Sequence, residues 1–229
     1  LTTLLARSSN VGATKVSMRM QPEQLWRALS AFGFGQLTGS LWPYESAGKL
    51  DPHDYWSEIT QATIAYGYGL SVTPLQLARA YAAIGSGGVL RPVSLVVNPD
   101  NVREERIIDE EIADTVLGMM ERVVMPGGTG TKAAIPGYRV AGKTGTSKKY
   151  EPGGYSEDRY LSVFAGLVPA SRPKLAAVVV IDEPGGDDYY GGDVAAPVFS
   201  EVMREALRLR AIAPDAVPGI GSGSIRAAR

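Results

Sequence analysis

The stretch Tyr138 to Lys149, YRVAGKTGTSKK, constrains this chain more than any other. Its first half, around Val140, suits a pleated and half-buried strand. Its second half sets a cation, two hydroxyls and a bare backbone position on consecutive residues, Lys143, Thr144, Gly145 and Thr146. Alternation along a strand puts Thr144 and Thr146 on one face and Lys143 on the other. Glycine weakens a strand, and the usual reason to keep one is close approach of a ligand or another backbone. At a sheet edge such a segment accepts an extended peptide as an added strand, its hydroxyls and amides meeting the peptide's carboxylate. Taken alone, the tetrad reads equally as a solvated strand end followed by a basic turn at Ser147, Lys148 and Lys149.

A strand of this kind needs partners, and the sequence offers two more segments of β-pattern. Residues 138–146, 160–168 and 175–182 are separated by turns containing glycine or proline, which predicts sequential antiparallel pairing. Helical spacing surrounds them. Leu1, Leu4 and Leu5 read as the middle of a helix, so the chain is expected to be a fragment; Val11, Val16 and Met18 suggest a second helical region. Between them, Ser8 and Asn10 are residue types common at helix caps. Pro22 opens an amphipathic helix with Leu25, Leu29 and Phe32 on one face and Gly33 as terminator. A long loop runs from Gly33 to Trp56. Thr73-Pro74-Leu75-Gln76 is a capping box for a helix to Ile84, with Leu77, Tyr81 and Ile84 buried and alanines for close packing.

Residues 91–108 read as a small hairpin, with Val93 to Val97 as a strand and Asn98 to Asn101 as its turn. Asp109 is expected to cap a helix whose apolar face carries Ile112, Val116, Met120 and Val123. After the last strand comes a polar loop with Tyr189 and Tyr190, then a helix opened by Pro197 with the stripe Val198, Val202, Ala206 and Leu209. Residues 212–229 have little to bury and read as a flexible tail.

Composition closes several alternatives. With 229 residues and no cysteine, the chain has room for a sizeable core and no thiolate chemistry. A net charge of −1, with both signs interspersed, gives no nucleic-acid footprint. The single histidine, His53, supports neither a Ser-His-Asp triad nor a histidine metal site, so no metal and no cofactor are expected. No apolar run approaches the roughly 20 residues that span a bilayer.

Four ordered segments carry a resemblance: Ser8-Ser9-Asn10-Val11-Gly12; Tyr66-Gly67-Tyr68-Gly69-Leu70 with Thr73-Pro74-Leu75-Gln76-Leu77-Ala78; Lys143-Thr144-Gly145-Thr146; and Tyr189-Tyr190-Gly191-Gly192 with Ala196-Pro197-Val198-Phe199. Together they resemble the C-terminal part of the transpeptidase domain of class B penicillin-binding proteins, of the septal, division-associated type. Serine-x-x-lysine, serine-x-asparagine and lysine-threonine-glycine are the signature of penicillin-binding proteins and serine β-lactamases, and two of the three occur here in order. The resemblance implies an α/β fold of the α+β type, an antiparallel sheet flanked by helices, with residues 1–211 its C-terminal part. It also implies that the N-terminal strands and the nucleophile helix are missing from this chain. Ser46-Ala47-Gly48-Lys49 and Ser171-Arg172-Pro173-Lys174 match serine-x-x-lysine but fall in the wrong order and contain helix breakers.

The implied activity is D,D-transpeptidation of peptidoglycan stem peptides ending in D-Ala-D-Ala, blocked by β-lactams, at the periplasmic face of the bacterial inner membrane. The anchor would lie in the N-terminal remainder of the protein, and a septal glycosyltransferase and other division proteins would be partners. By the same resemblance Ser8 passes a proton, Asn10 binds the acyl part's peptide carbonyl, and Lys143 holds Ser8 and favours negative charge. Thr144 and Thr146 bind the substrate carboxylate, Gly145 admits the substrate, and the Thr146 N–H is one of two oxyanion donors. Tyr155, Tyr189 and Tyr190 line an aromatic wall or, as an equal alternative, anchor loops. A carboxypeptidase or β-lactamase of the same fold, and a non-catalytic β-lactam sensor, remain alternatives.

Overall fold

The computed structural model describes residues 1–96 and 103–216. Its centre is a three-stranded antiparallel sheet of order β3-β4-β5, formed by β3 (Ala141–Glu151), β4 (Gly154–Val168) and β5 (Leu175–Asp182). Helices α5 (Pro74–Gly85) and α6 (Glu110–Val124) pack on one face, and α7 (Gly191–Leu209) packs on the other. This is the mixed, antiparallel architecture expected. Strand alternation divides the core accordingly. Ala141 and Leu167 join Leu117, Met120 and Ala170 under α5 and α6, whereas Val140, Phe164 and Val168 meet Phe199, Met203 and Leu207 of α7.

One glycine pair sets the spacing on the α7 face. Gly142 and Gly166 lie opposite each other on β3 and β4. A Cβ at Gly142 would sit 2.5 Å from the Phe164 ring, and one at Gly166 would sit 2.8 Å from Phe199. The two rings, 4.8 Å apart between centroids, fill the space those glycines leave.

The expected capping chemistry is present. Gln76 N donates to Thr73 Oγ1 and Thr73 N to Gln76 Oε1, at 3.1 and 2.8 Å. Gln76 also does what propensity does not foretell: buried, it donates to the carbonyls of Gln36 and Ala47 and pins the long loop to α5. Ala80 and Ala83 complete the buried stripe, with Tyr81 and Ile84 beside it.

Several expectations are corrected. β3 runs on to Glu151, so Lys148 and Lys149 lie in a strand rather than a solvated turn, and the hairpin turns at Pro152-Gly153. Lys149 is held there by Asp182 and Glu183 at 2.8 and 2.5 Å. α7 begins at Gly191, with Pro197 inside it, and buries Ala195, Ala196, Phe199, Met203 and Leu207. Val198, Val202 and Leu209 of the expected stripe are exposed. Both stripes have helical spacing, and the Phe164–Phe199 contact selects between them. In α6 the position of Asp109 as N-cap is right, but its side chain makes no capping bond, and Ile112 is exposed. A seven-residue helix, α4 (Glu58–Ile64), was not anticipated.

The small hairpin pairs β1 (Val89–Leu90) with β2 (Glu105–Arg106); Val93, expected in a strand, instead donates its N–H to Thr38 O of the long loop at 3.1 Å, and Val97 lies outside the described residues. The turn expected at 98–101 lies outside the described residues. Residues 212–216, expected as the start of a tail, are fastened to the body. Tyr138 Oη donates to Ile212 O, and Asp215 accepts from Arg139 N and Ser171 N, at 2.6, 2.7 and 3.0 Å. The rest of that expected tail, 217–229, is outside the described residues.

Candidate active site

Two distant parts of the chain meet at the free edge of β3. The first is the turn between α1 (Thr2–Ala6) and α2 (Asn10–Ser17). Ser9, not Ser8 or Asn10, caps α2, accepting from Gly12 N at 3.1 Å. Ser8 is therefore free of capping duty; its φ of 52° is left-handed and turns its hydroxyl toward the strand. Lys143 Nζ donates to Ser8 Oγ at 2.7 Å and to Thr144 O at 2.8 Å. Among the described residues no carboxylate pairs with this half-buried lysine. Burial pushes its pKa down from 10.5 to about 8.

Backbone alternation orients the rest of the edge. Thr144 O faces Lys143 Nζ, and Lys148 N donates outward to Tyr68 Oη at 3.2 Å. Residues 144, 146 and 148 share that outward side, so the Thr146 N–H points into the cleft. Thr146 Oγ1 accepts from Gly191 N at the start of α7, 3.0 Å away, leaving its own proton free to donate. Thr144 Oγ1 lies 2.8 Å from Thr129 Oγ1. Gly145 has no packing reason to be glycine: an added Cβ would meet Val163 at 3.4 Å. By contrast Gly191 cannot carry a Cβ, which would lie 2.3 Å from the Gly145 and Val163 carbonyls.

The cleft has two lobes that share Ser8, Asn10, Thr144 and Thr146. The smaller, about 300 Å³, runs along Lys143 and Gly145 to Tyr66 and Tyr68. The larger, about 440 Å³, extends past Thr129 to Tyr190, Gly191, Gly192 and Asp193. Lys132 closes that end through a 2.7 Å ion pair with Asp193.

Of the residues proposed from sequence, Ser8, Asn10, Lys143, Thr144, Gly145, Thr146 and Tyr190 come together here. Tyr155 and Tyr189 do not line either lobe. Tyr155 packs edge-on against Tyr68, centroids 4.9 Å apart, and Tyr189 stacks on Tyr160 and meets Tyr190 at a tilt. Ser46 and Ser171, of the two rejected tetrads, also lie outside both lobes. Tyr66 and Tyr68 were visible as a glycine-flanked pair but were given no role. Thr129 sits in a turn without a pattern, and Asp193 was hidden by taking Pro197 as the start of its helix.

Behind the strand lies an ion pair. Arg139, just before β3, holds the buried Glu121 of α6 through two bonds of 2.6 and 2.8 Å, fixing where the strand enters the site.

The family model described as penicillin binding protein transpeptidase domain matches residues 1–204. Peptidoglycan D,D-transpeptidase FtsI of Escherichia coli K12 is 48% identical over 217 residues, covering 95% of this chain and 37% of that protein. The probable peptidoglycan D,D-transpeptidase PenA of Neisseria gonorrhoeae is 40% identical over 211 residues, covering 92% of this chain and 36% of that protein. The apo transpeptidase domain of Burkholderia pseudomallei penicillin-binding protein 3 superposes with a TM-score of 0.88 at 41% identity, over 93% of this chain and 65% of that one. The chain thus spans little more than a third of the curated relatives it matches.

Proposed function

Because this chain belongs to the penicillin-binding protein transpeptidase domain family, we propose that it serves a serine-type peptidoglycan D,D-transpeptidase that cross-links stem peptides during septal wall synthesis and is blocked by β-lactams. The acylating serine and its lysine would come from a helix outside these residues, set against the shared lobe boundary. The observation that carries the reading is Lys143 Nζ held between Ser8 Oγ and the strand edge, with Asn10, Thr144 and Thr146 around it.

Acyl transfer from an amide needs a proton removed from the nucleophile, a proton given to the departing amine, and a place for the oxyanion. Ser8 accepts from Lys143 and keeps its own proton for relay to the leaving D-alanine nitrogen. The donor peptide adds alongside β3, and Gly145 leaves room for it. Its terminal carboxylate meets the Thr144 and Thr146 hydroxyls, near the Lys143 charge and the N-terminus of α7. Asn10 orients the donor's peptide carbonyl. The outward Thr146 N–H supplies one oxyanion donor, and the nucleophile's own N–H the other. Tyr66, Tyr68 and Tyr190 form the aromatic flanks. Periplasmic placement and a partnership with division proteins, including a septal glycosyltransferase, belong to the same proposal.

The test is covalent labelling of the full-length protein with a fluorescent penicillin, read by intact mass. A stable adduct, together with D-alanine release from a pentapeptide donor and formation of cross-linked dimer, is expected. Rapid loss of the adduct as hydrolysed antibiotic, or an adduct without dimer formation, would overturn the transpeptidase reading.

A further inference from the structure

Transpeptidation joins two peptides at one acyl carbon, and the cleft has two lobes that meet at Ser8, Asn10, Thr144 and Thr146. If the threonine hydroxyls hold the donor's terminal carboxylate, the departing nitrogen lies on their side of the acyl carbon. The hydroxyls' own partners, Thr129 and Gly191, line only the larger lobe, so that side opens into it. The entering amine must reach the same carbon from the position the departing amine has vacated, so it too comes through the larger lobe.

Among the described residues, Asp193 is the one acidic residue lining that lobe. It sits in the first turn of α7, where the helix dipole favours its charge. Lys132 engages its Oδ1 at 2.7 Å from outside the lobe, with Asp188 also acting on that lysine. Both members of the pair are substantially exposed, at 52% and 37%, and ion pairs of this kind are weak and exchangeable. An amine in neutral water arrives as an ammonium ion, which can replace Lys132 at Asp193.

We infer that Asp193 is the subsite for the cationic amine of the acceptor peptide, with Lys132 the counter-ion it displaces; the inference rests on the transpeptidase reading. The captured ammonium releases one proton to solvent, and its freed lone pair forms the new C–N bond. The ester C–O bond to the enzyme's serine then breaks, and the second proton from nitrogen goes to that serine oxygen. No electrons are exchanged with any other group.

The experiment uses the full-length protein, a thioester donor ending in a D-alanyl thioester, and D-alaninamide as acceptor, a probe with an ammonium and no carboxylate. The readout is the ratio of transfer to hydrolysis against amine concentration, which cancels any change in acylation. Asp193→Asn should raise the half-saturating amine concentration roughly three- to fivefold, the scale of an exposed ion pair. Lys132→Met should lower it, because a competitor for the carboxylate is gone. A latch between the Lys132 turn and α7 would move both variants the same way. That outcome, or an unchanged half-saturation in Asp193→Asn, overturns the inference while leaving transfer intact. Absence of an acyl-enzyme in the unmutated protein would instead overturn the transpeptidase reading, and this subsite with it.

Discussion

Replacing Lys143 with methionine should abolish acylation and at the same time stabilise the fold at neutral pH. The ammonium sits half-buried without a carboxylate among the described residues, and burial lowers its pKa from 10.5 to about 8. A folded pKa below the unfolded one means that the unfolded chain binds more protons between those values. Wild-type stability is therefore reduced fully below pH 8 and recovers as pH rises from 8 toward 10.5. The difference between 10.5 and 8 corresponds to about 3 kcal/mol as a ceiling. The cleft is open to water, so about 1–2 kcal/mol is expected. Urea unfolding of the full-length protein and the variant at pH 7 and pH 10 measures this directly. The variant's advantage should be present at pH 7 and shrink at pH 10, while penicillin acylation falls by more than a hundredfold. An advantage independent of pH, or acylation within tenfold of wild type, would refute the assignment of Lys143 as a strained functional cation. Acylation by the unmutated protein should also decline above about pH 8, as that ammonium deprotonates.

Three other substitutions probe separate links. The Cβ of Gly145→Val meets its nearest neighbour, Val163, at 3.4 Å, ordinary contact on an open strand edge, so the protein should keep its thermal transition yet lose β-lactam acylation at least tenfold; normal acylation by the folded variant would exclude strand addition at this edge. Gly142→Ala drives a methyl within 2.5 Å of Phe164 and should lower stability by about 1–3 kcal/mol in denaturant titrations. Phe199→Ala should be destabilising by about 3–5 kcal/mol, whereas Val198→Ala, at a 40% exposed position, should shift the midpoint little; the reverse order would restore the stripe read from sequence.

The parts legible in the sequence are those where local chemistry and tertiary need agree. The Thr73 capping box, the antiparallel succession of three strands and the Lys143-Thr144-Gly145-Thr146 tetrad each state their geometry in residue type and spacing. The α7 register was illegible for the opposite reason. Val198, Val202 and Leu209 fit a helical stripe as well as Phe199, Met203 and Leu207 do, and the choice depends on Phe164, which lies 35 positions away in sequence. The extension of β3 through Lys148 and Lys149 was hidden because lysines read as a solvated turn. Only across the hairpin do Asp182 and Glu183 appear as their partners. Within the site, Ser8 and Asn10 were legible through the company they keep with Lys143, yet the reason they are free for chemistry was not: Ser9 takes the cap.

The joint between the two halves of the site is Thr129. Its N–H donates to Ala6 O at 3.1 Å and its hydroxyl touches Thr144, so one turn residue ties the Ser8 segment to the strand. α1 has five residues and no side-chain cap, far too short to persist by itself. Its position is therefore imposed by docking on α6 and on this joint. Neither buried core cluster contains a residue of α1 or α2. The Ser8 wall is thus held through α6 and this joint rather than through the sheet's core, and the Lys143–Ser8 contact depends on that docking. The architecture pairs a strand that carries the Lys143 cation and the Thr144 and Thr146 hydroxyls with a separately held turn that carries Ser8 and Asn10. Precision at this site depends on the joint between them more than on the core beneath.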